Sequence, residues 1–125
     1  EAQQMLCNEA RTTIQSINER VLAYTTNQDL AEFETVPELL REVSGALLFL
    51  ESPQNHQNLQ KVAQIIEQDI LPNKKSLDSA QVKLLATVIA SADFYLEQLQ
   101  GNQPVIASST TIGTQYLDQF LQAVA

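Results

Sequence analysis

The chain has 125 residues, a net charge of −8 and a pI near 4.4, and 44% of its residues are hydrophobic. This length suits a single domain that buries a core without metals or disulfides, and the hydrophobic fraction argues against disorder. The acidic balance excludes nucleic acid and anionic membrane surfaces as expected partners, because both are polyanions. A single cysteine, Cys7, excludes an internal disulfide and favours a reducing compartment, so we expect a cytoplasmic protein.

The first segment reads as a long amphipathic helix. Its apolar residues recur every three or four positions, which is the helical period, and TTNQD at residues 25–29 ends the pattern. The stripe consists of Leu6, Ala10, Ile14, Ile17, Val21 and Tyr24. A short piece with Leu30 and Phe33 follows before the next helix.

The second helix is predicted from about Val36 to Glu51. Thr35 and Glu38 have the spacing of a capping box, in which each side chain binds the backbone N–H of the other residue. The predicted buried stripe of this helix is Leu40, Val43, Leu47 and Leu50. Polar residues at 52–55 end it.

Three further helices complete the pattern. The third is predicted over about Asn55–Leu71, and the fourth starts at Asp78 as N-cap, with Gln81 three residues later, and ends at Gly101. After a predicted loop at 102–111, which is apolar only at residues 105–106, a fifth helix follows. Its stripe is Tyr116, Leu117, Phe120, Leu121 and Val124.

Helices of this kind, joined by short loops, predict an all-α fold, an antiparallel up-down helical bundle. We expect residues 1–125 to form one domain with an additional C-terminal helix. The chain starts inside a predicted helix and without methionine, so we interpret it as part of a larger multidomain protein. No apolar run has the length of a membrane span, and no membrane insertion is expected.

The residues that usually carry catalysis are mostly missing from their characteristic patterns. There is no glycine-rich phosphate loop, no His and Cys spacing typical of a metal site, and no nucleophile elbow. We therefore expect no cofactor and no metal. His56 is the only histidine, and its polar neighbours favour a surface histidine at a solvated helix start.

The stretch REVSGA, Arg41 to Ala46, resembles the motif of histidine phosphotransfer (Hpt) domains. That motif is His, any residue, an aliphatic residue, Lys, Gly, then Ser or Ala, on a central helix of an antiparallel four-helix bundle. Val43, Gly45 and Ala46 match it. The resemblance implies an Hpt-type four-helix bundle in which the motif faces solvent and a phosphotransfer partner.

Two positions depart from this motif. Arg41 stands at the histidine position and Ser44 at the lysine position. Phosphotransfer needs the neutral imidazole as nucleophile, whereas a guanidinium stays protonated and non-nucleophilic. The resemblance thus implies a degenerate Hpt domain, not an enzyme, although a full-length parent could be a histidine kinase. The predicted partner-binding residues are Arg41, Ser44 and Gly45, with Arg41 presenting a positive charge to an acidic receiver pocket.

A broader resemblance covers most of residues 1–104. The segments EAQQMLCNEARTTIQSI, VPELLREVSGALLFLE and LATVIASADFYLEQLQGNQP are similar, in this order, to the amino-terminal region of CheA-like hybrid kinases of the ChpA or PilL type and to the related regulator FimL. This resemblance implies a non-catalytic Hpt-like module in two-component, chemotaxis-type signalling that controls type IV pili and twitching motility. The implied partner is a receiver-domain response regulator or a pilus-pole scaffold protein, with recruitment to the cell pole.

Two alternatives stay open. One is an active phosphotransferase that uses an unexpected residue such as His56. The other is a structural spacer or dimerisation bundle within a signalling protein, in which Gly45 allows close helix packing and Arg41 is a solvated charge. The oligomeric state and the identity of the partner do not follow from the sequence.

Overall fold

The structure, a computed structural model, describes residues 2–104 and 107–125. Within these residues it contains helices and no strand. The α-helices are α1 (Ala2–Asn27), α2 (Val36–Phe49), α3 (Pro53–Ile65), α4 (Ser79–Gln100) and α5 (Ala107–Val124). A 3₁₀ turn at Leu30–Phe33 precedes α2, and a π-helical turn at Ile66–Ile70 continues α3.

The helices form a bundle in the circular order α1, α2, α3, α5, α4. Helices adjacent along the chain are antiparallel. Helix α1 also runs antiparallel to the segment of α4, since Gln4, Arg11 and Tyr24 bind Leu99, Asp93 and Leu77, in that order. The predicted all-α bundle with an additional C-terminal helix is confirmed. In this arrangement α5 lies between α3 and α4, so it is part of the bundle.

The core consists of the apolar stripes that the helical period predicts. All members of the α1 stripe except half-buried Leu6 are buried, and Cys7 joins them. On α5, Leu117 and Phe120 are buried in the same cluster. The Tyr24 ring stacks on Phe33 with centroids 4.8 Å apart, which attaches the 3₁₀ turn to α1.

Gly113 sets the distance between α5 and α4. A Cβ atom at this position would lie 2.5 Å from Ser91 Oγ and 2.9 Å from Ser91 Cβ. These separations are shorter than any normal contact, so only glycine lets the two helices approach this closely.

A polar seam joins α5 to α3 at the same level. Asn55 Nδ2 donates to Thr110 Oγ1 over 3.3 Å, and Asn58 Nδ2 donates to Thr114 Oγ1 over 3.2 Å. Both asparagines are buried, at 1% and 2% exposure, whereas Gln54 and Gln57 are exposed, so the interpretation of this segment as a solvated helix start is only partly correct. The asparagine amides are buried because they find partners on α5.

The helix ends agree with the sequence in part. The Asp78–Gln81 capping box forms as predicted. Thr35 makes no side-chain capping bond, because its backbone has helical φ and ψ where a capping residue needs extended geometry. Helix α5 begins at Ala107, so the predicted loop is wrong from that residue onward, and residues 105–106 lie outside the described residues.

Candidate functional site

Arg41 lies on α2 and forms a two-armed ion pair with Glu67 of the π-helical turn. Its Nη2 donates to Glu67 Oε1 over 2.7 Å and its Nη1 donates to Oε2 over 3.3 Å. The hydrogen bond from Arg41 lowers the pKa of Glu67 below its ordinary value, and the same bond raises the pKa of Arg41. The guanidinium is therefore charged, solvent-facing and already paired.

Glu67 lies at the start of the π-helical turn. Leu71 N–H donates to Ile66 C=O, an i to i+5 bond that widens the helix by one residue at this point. Residues 66 and 70 stay buried while Glu67 remains on the side of Arg41. The sequence does not indicate this turn, and it does not indicate the ion pair either.

Ser44 does not lie on the solvent-facing surface where the Hpt resemblance places it. It is fully buried, its hydroxyl donates to His56 C=O over 3.0 Å, and its Oγ lies 2.7 Å from His56 Nδ1. The prediction of Ser44 as an accessible partner-binding residue is thus at odds with this geometry. The physical reason is that α3 packs directly over this side of α2, where the backbone carbonyl of His56 accepts a hydrogen bond from the Ser44 hydroxyl.

His56 is half-buried and held by Ser44, so its interpretation as a plain surface histidine is wrong. His56 Nδ1 lies 2.8 Å from Ser44 C=O, which accepts hydrogen bonds only. A proton on Nδ1 satisfies this contact, and Nε2 has no hydrogen-bond partner among the described residues. The Ser44 hydroxyl is not arranged for nucleophilic attack, because it is buried and its proton is directed at a backbone carbonyl.

Gly45 faces a direction different from that of Ser44. A Cβ atom added here would meet nothing within 4 Å, so Gly45 does not serve close packing between helices of this chain. Instead it forms part of an open groove of about 470 Å³ between α1 and α2. The residues lining this α1–α2 groove are Ala2, Met5, Leu6, Glu9, Gly45, Ala46 and Phe49.

The three predicted site residues therefore occupy three separate environments. Arg41 points to the π-helical turn, Ser44 to α3, and Gly45 to the groove beside α1. Arg41 is one helical turn from both Ser44 (i, i+3) and Gly45 (i, i+4), so helical spacing alone would place all three on one side of α2; their different contacts separate them. In the structure Arg41 and Gly45 are accessible to a partner, whereas Ser44 is buried.

The sequence does not single out the other residues of this region. Met5 and Phe49 are 65% and 73% exposed, yet in the sequence they are two apolar residues among many in amphipathic helices. The available signal is weak: both lie off the predicted apolar stripes of their helices. Glu67 is 26 residues from Arg41 and carries no sequence signal for the pairing.

The fold and this surface define the class of protein: an all-helical bundle whose second helix leaves Gly45 exposed beside an open groove. None of its helices, in the part of the chain that the structure describes, combines the length and apolar character needed to span a bilayer. Among the same residues no group of His, Cys, Asp and Glu is arranged to hold a metal ion.

Comparison with known proteins then gives the family. The sequence model of the family described as the FimL C-terminal domain matches residues 1–117. The chain belongs to this family, which ties it to the FimL family of type IV pilus and chemosensory proteins and to pilus-related signalling. No curated protein and no solved structure matches the chain.

Proposed function

We propose that this domain is a non-catalytic, Hpt-like protein-interaction module in the chemosensory signalling that controls type IV pili and twitching motility. Its partner is a receiver-domain response regulator or a pilus-pole scaffold protein. Family membership supports the pilus-related setting. The Hpt-like character rests on the match of Arg41 to Ala46 with the phosphotransfer motif.

The observation that carries the proposal is the state of Arg41. The residue at the motif's histidine position is a permanently charged guanidinium, held in two hydrogen bonds by Glu67. A guanidinium neither attacks a phosphoryl group nor releases one, so this position serves for binding. What a partner meets here is the exposed guanidinium of the Arg41–Glu67 pair.

The ion pair with Glu67 is compatible with this role. Both side chains are substantially exposed, at 40% and 52%, and exposed ion pairs contribute little to stability. Carboxylates of a receiver pocket can therefore take over the guanidinium at small cost. Arginine suits such an exchange because its planar fork binds carboxylates through two parallel hydrogen bonds.

Calorimetric titration with the receiver domain of the pilus chemosensory system tests the role of Arg41. Arg41→Ala should weaken binding by about tenfold or more, since a hydrogen bond between charged groups contributes about 1.5–3 kcal/mol. Arg20→Ala is the matched control, because Arg20 also forms an exposed ion pair, with Glu32, away from α2. Equal affinity of wild type and Arg41→Ala would remove Arg41 from the interface.

The non-catalytic part of the proposal has its own test. The domain is incubated with the cognate kinase domain and labelled ATP, and acid-labile label is measured. We expect none, because Arg41 replaces the phosphoacceptor. Label that disappears in His56→Gln would overturn this part and identify His56 as the acceptor.

One observation favours a second candidate, a spacer or dimerisation bundle. The exposed apolar side chains of Met5 and Phe49 would be covered if two copies packed through the α1–α2 groove. Sedimentation analysis distinguishes the two. A stable dimer that Phe49→Ala dissociates would favour the dimerisation bundle over a receiver-binding module.

A further inference from the structure

The α1–α2 groove is an apolar surface that the bundle leaves uncovered. Met5 and Phe49, both more than half exposed, line it together with Gly45 and Ala46. Exposed apolar side chains gathered at one concave site mark an interaction surface more often than an isolated exposed side chain does. Leu22 on α1 is such an isolated case, 68% exposed and outside the groove.

The shape of the groove fits a helix. On each wall the lining residues follow helical spacing, with Ala2, Met5 and Glu9 on α1 and Gly45 and Phe49 on α2. The lining residues of α1, from Ala2 to Glu9, extend over about 11 Å, or two turns, at 1.5 Å per residue. The walls are helices whose backbone groups are already paired, so an extended strand would find no hydrogen-bonding edge here.

The charge around the groove is negative. Glu9 lines it, and Glu42 lies one helical turn before Gly45 and Ala46 on α2. The chain has seven lysine and arginine residues in all, and none of them lines the groove. Arg41 also lies one turn before Gly45, but its guanidinium is paired with Glu67, and Arg11 is paired with Asp93 of α4. An acidic partner would be repelled, and a basic one attracted.

We propose that the α1–α2 groove binds a basic amphipathic helix of a partner protein. Apolar residues of that helix at positions i, i+3 or i+4, and i+7 pack on Met5, Gly45 and Phe49, and a lysine or arginine at its edge pairs with Glu9. Gly45 is the specificity-determining residue, because any side chain there occupies the space that the partner helix enters. The inference goes beyond the proposed function and does not depend on the Hpt resemblance or on Arg41.

The test uses a synthetic peptide of leucine and lysine of about 18 residues, long enough to be helical in water, with leucines on one face. Two control peptides carry glutamate in place of lysine, or the same residues in scrambled order. Binding to the whole chain is followed by fluorescence anisotropy, and the contact surface is mapped by amide chemical shifts. We expect the leucine–lysine peptide alone to bind with saturation and to shift the amides of residues 5, 45, 46 and 49.

Variants of the groove decide between specific docking and general attraction to an acidic protein. Gly45→Gln should weaken binding of the leucine–lysine peptide at least about tenfold. It should leave α2 intact, because glutamine is a better helix former than glycine. Phe49→Ala should also weaken it, whereas Leu22→Ala should not. Glu9→Lys should weaken binding up to about fivefold more than Glu19→Lys, which makes the same charge change on an exposed part of α1.

Three results would overturn the proposal. The first is that the glutamate peptide binds as tightly as the leucine–lysine peptide. The second is that the amide shifts lie outside the groove. The third is that Gly45→Gln binds the leucine–lysine peptide with wild-type affinity. A dimer of the chain that buries Phe49 and excludes the peptide would assign the groove to a second copy instead. Because Arg41→Ala leaves the groove unchanged, loss of receiver binding in that variant and loss of peptide binding in Gly45→Gln are separate outcomes.

Discussion

Ser44 and His56 show how two neighbouring helices share polar groups within the bundle. The serine hydroxyl donates to the carbonyl of His56, and the imidazole Nδ1 binds the carbonyl of Ser44. Each residue thus satisfies the other across the α2–α3 contact. A serine in a helix that is otherwise apolar on this side is explained by this contact and requires no role in phosphotransfer.

The variant Ser44→Ala tests this explanation at the level of one hydroxyl. It should lower the free energy of unfolding by about 0.5–1.5 kcal/mol, the net contribution of one hydrogen bond, since His56 keeps the carbonyl of Ser44. Urea unfolding measures the loss of stability, and Ser16→Ala, at a half-exposed position of α1, is the control. Imidazole ¹⁵N shifts at neutral pH should report the Nδ1–H tautomer of His56 in both wild type and Ser44→Ala, and an Nε2–H tautomer in the wild type would contradict this geometry.

At the scale of the helix, two glycines in helix interiors have opposite surroundings. Gly113 of α5 touches Ser91 of α4, whereas Gly45 of α2 faces open space. Glycine in a helix interior costs about 0.5–1 kcal/mol relative to alanine. At Gly113 this cost is offset by the close approach of two helices, and at Gly45 no contact within the chain offsets it.

Alanine at these two positions should therefore change stability in opposite directions. Gly45→Ala should raise the free energy of unfolding by about 0.5–1 kcal/mol, through helix propensity alone. Gly113→Ala should lower it by about 1–3 kcal/mol, because the added methyl group forces α5 away from Ser91. Urea unfolding of the two variants side by side measures both signs, and each is the control for the other. A stabilised Gly113→Ala would show that α5 is not held at this distance.

For the whole molecule, the ion pair between Asp69 and Lys75 links stability to pH. Lys75 Nζ donates to Asp69 Oδ2 and to the carbonyl of Val124, so it connects the π-helical turn to the end of α5. The bond from Lys75, and next the bond from Asn73, lowers the pKa of Asp69. A lowered pKa in the folded state stabilises the fold above the unfolded pKa, and this contribution is lost as pH falls through the folded value.

Acidification from about pH 5 toward pH 2 should accordingly weaken the fold, in part through Asp69. Asp69→Asn should flatten this part of the curve of unfolding free energy against pH, measured by urea unfolding at each pH. Lys75→Met should flatten it similarly, because it removes the same pair. It should also lower stability at neutral pH, since the bond to Val124 is lost too. An unchanged slope in both variants would contradict the role of this pair.

The apolar pattern predicts most of the fold of this chain. Helical stripes on all five helices, and the capping box at Asp78, follow from local rules that do not depend on the rest of the molecule. Helix ends are less predictable. The chain passes through left-handed φ at Gln28, Glu51 and Lys74, where no glycine marks the turn, and at Asn102, directly after Gly101.

The candidate site is much less predictable, for a physical reason. A stripe determines which side of a helix is buried, but not how a neighbouring helix is rotated against it. Ser44 and His56 meet across twelve residues, and Asn55 meets Thr110 across 55 residues. Such polar pairs look like surface residues in the sequence. Phe49 is the opposite case, because an exposed apolar residue cannot be told from a core residue in the sequence alone.

The openness of Gly45 has a consequence for engineering this domain. Selection for heat resistance favours alanine in place of an exposed helical glycine and polar residues in place of exposed aromatics such as Phe49. Both substitutions would fill or remove the α1–α2 groove while the bundle becomes more robust. A thermostabilised version for crystallisation or biosensor use should therefore keep these two positions unchanged. Otherwise the gain in stability is accompanied by loss of the α1–α2 groove.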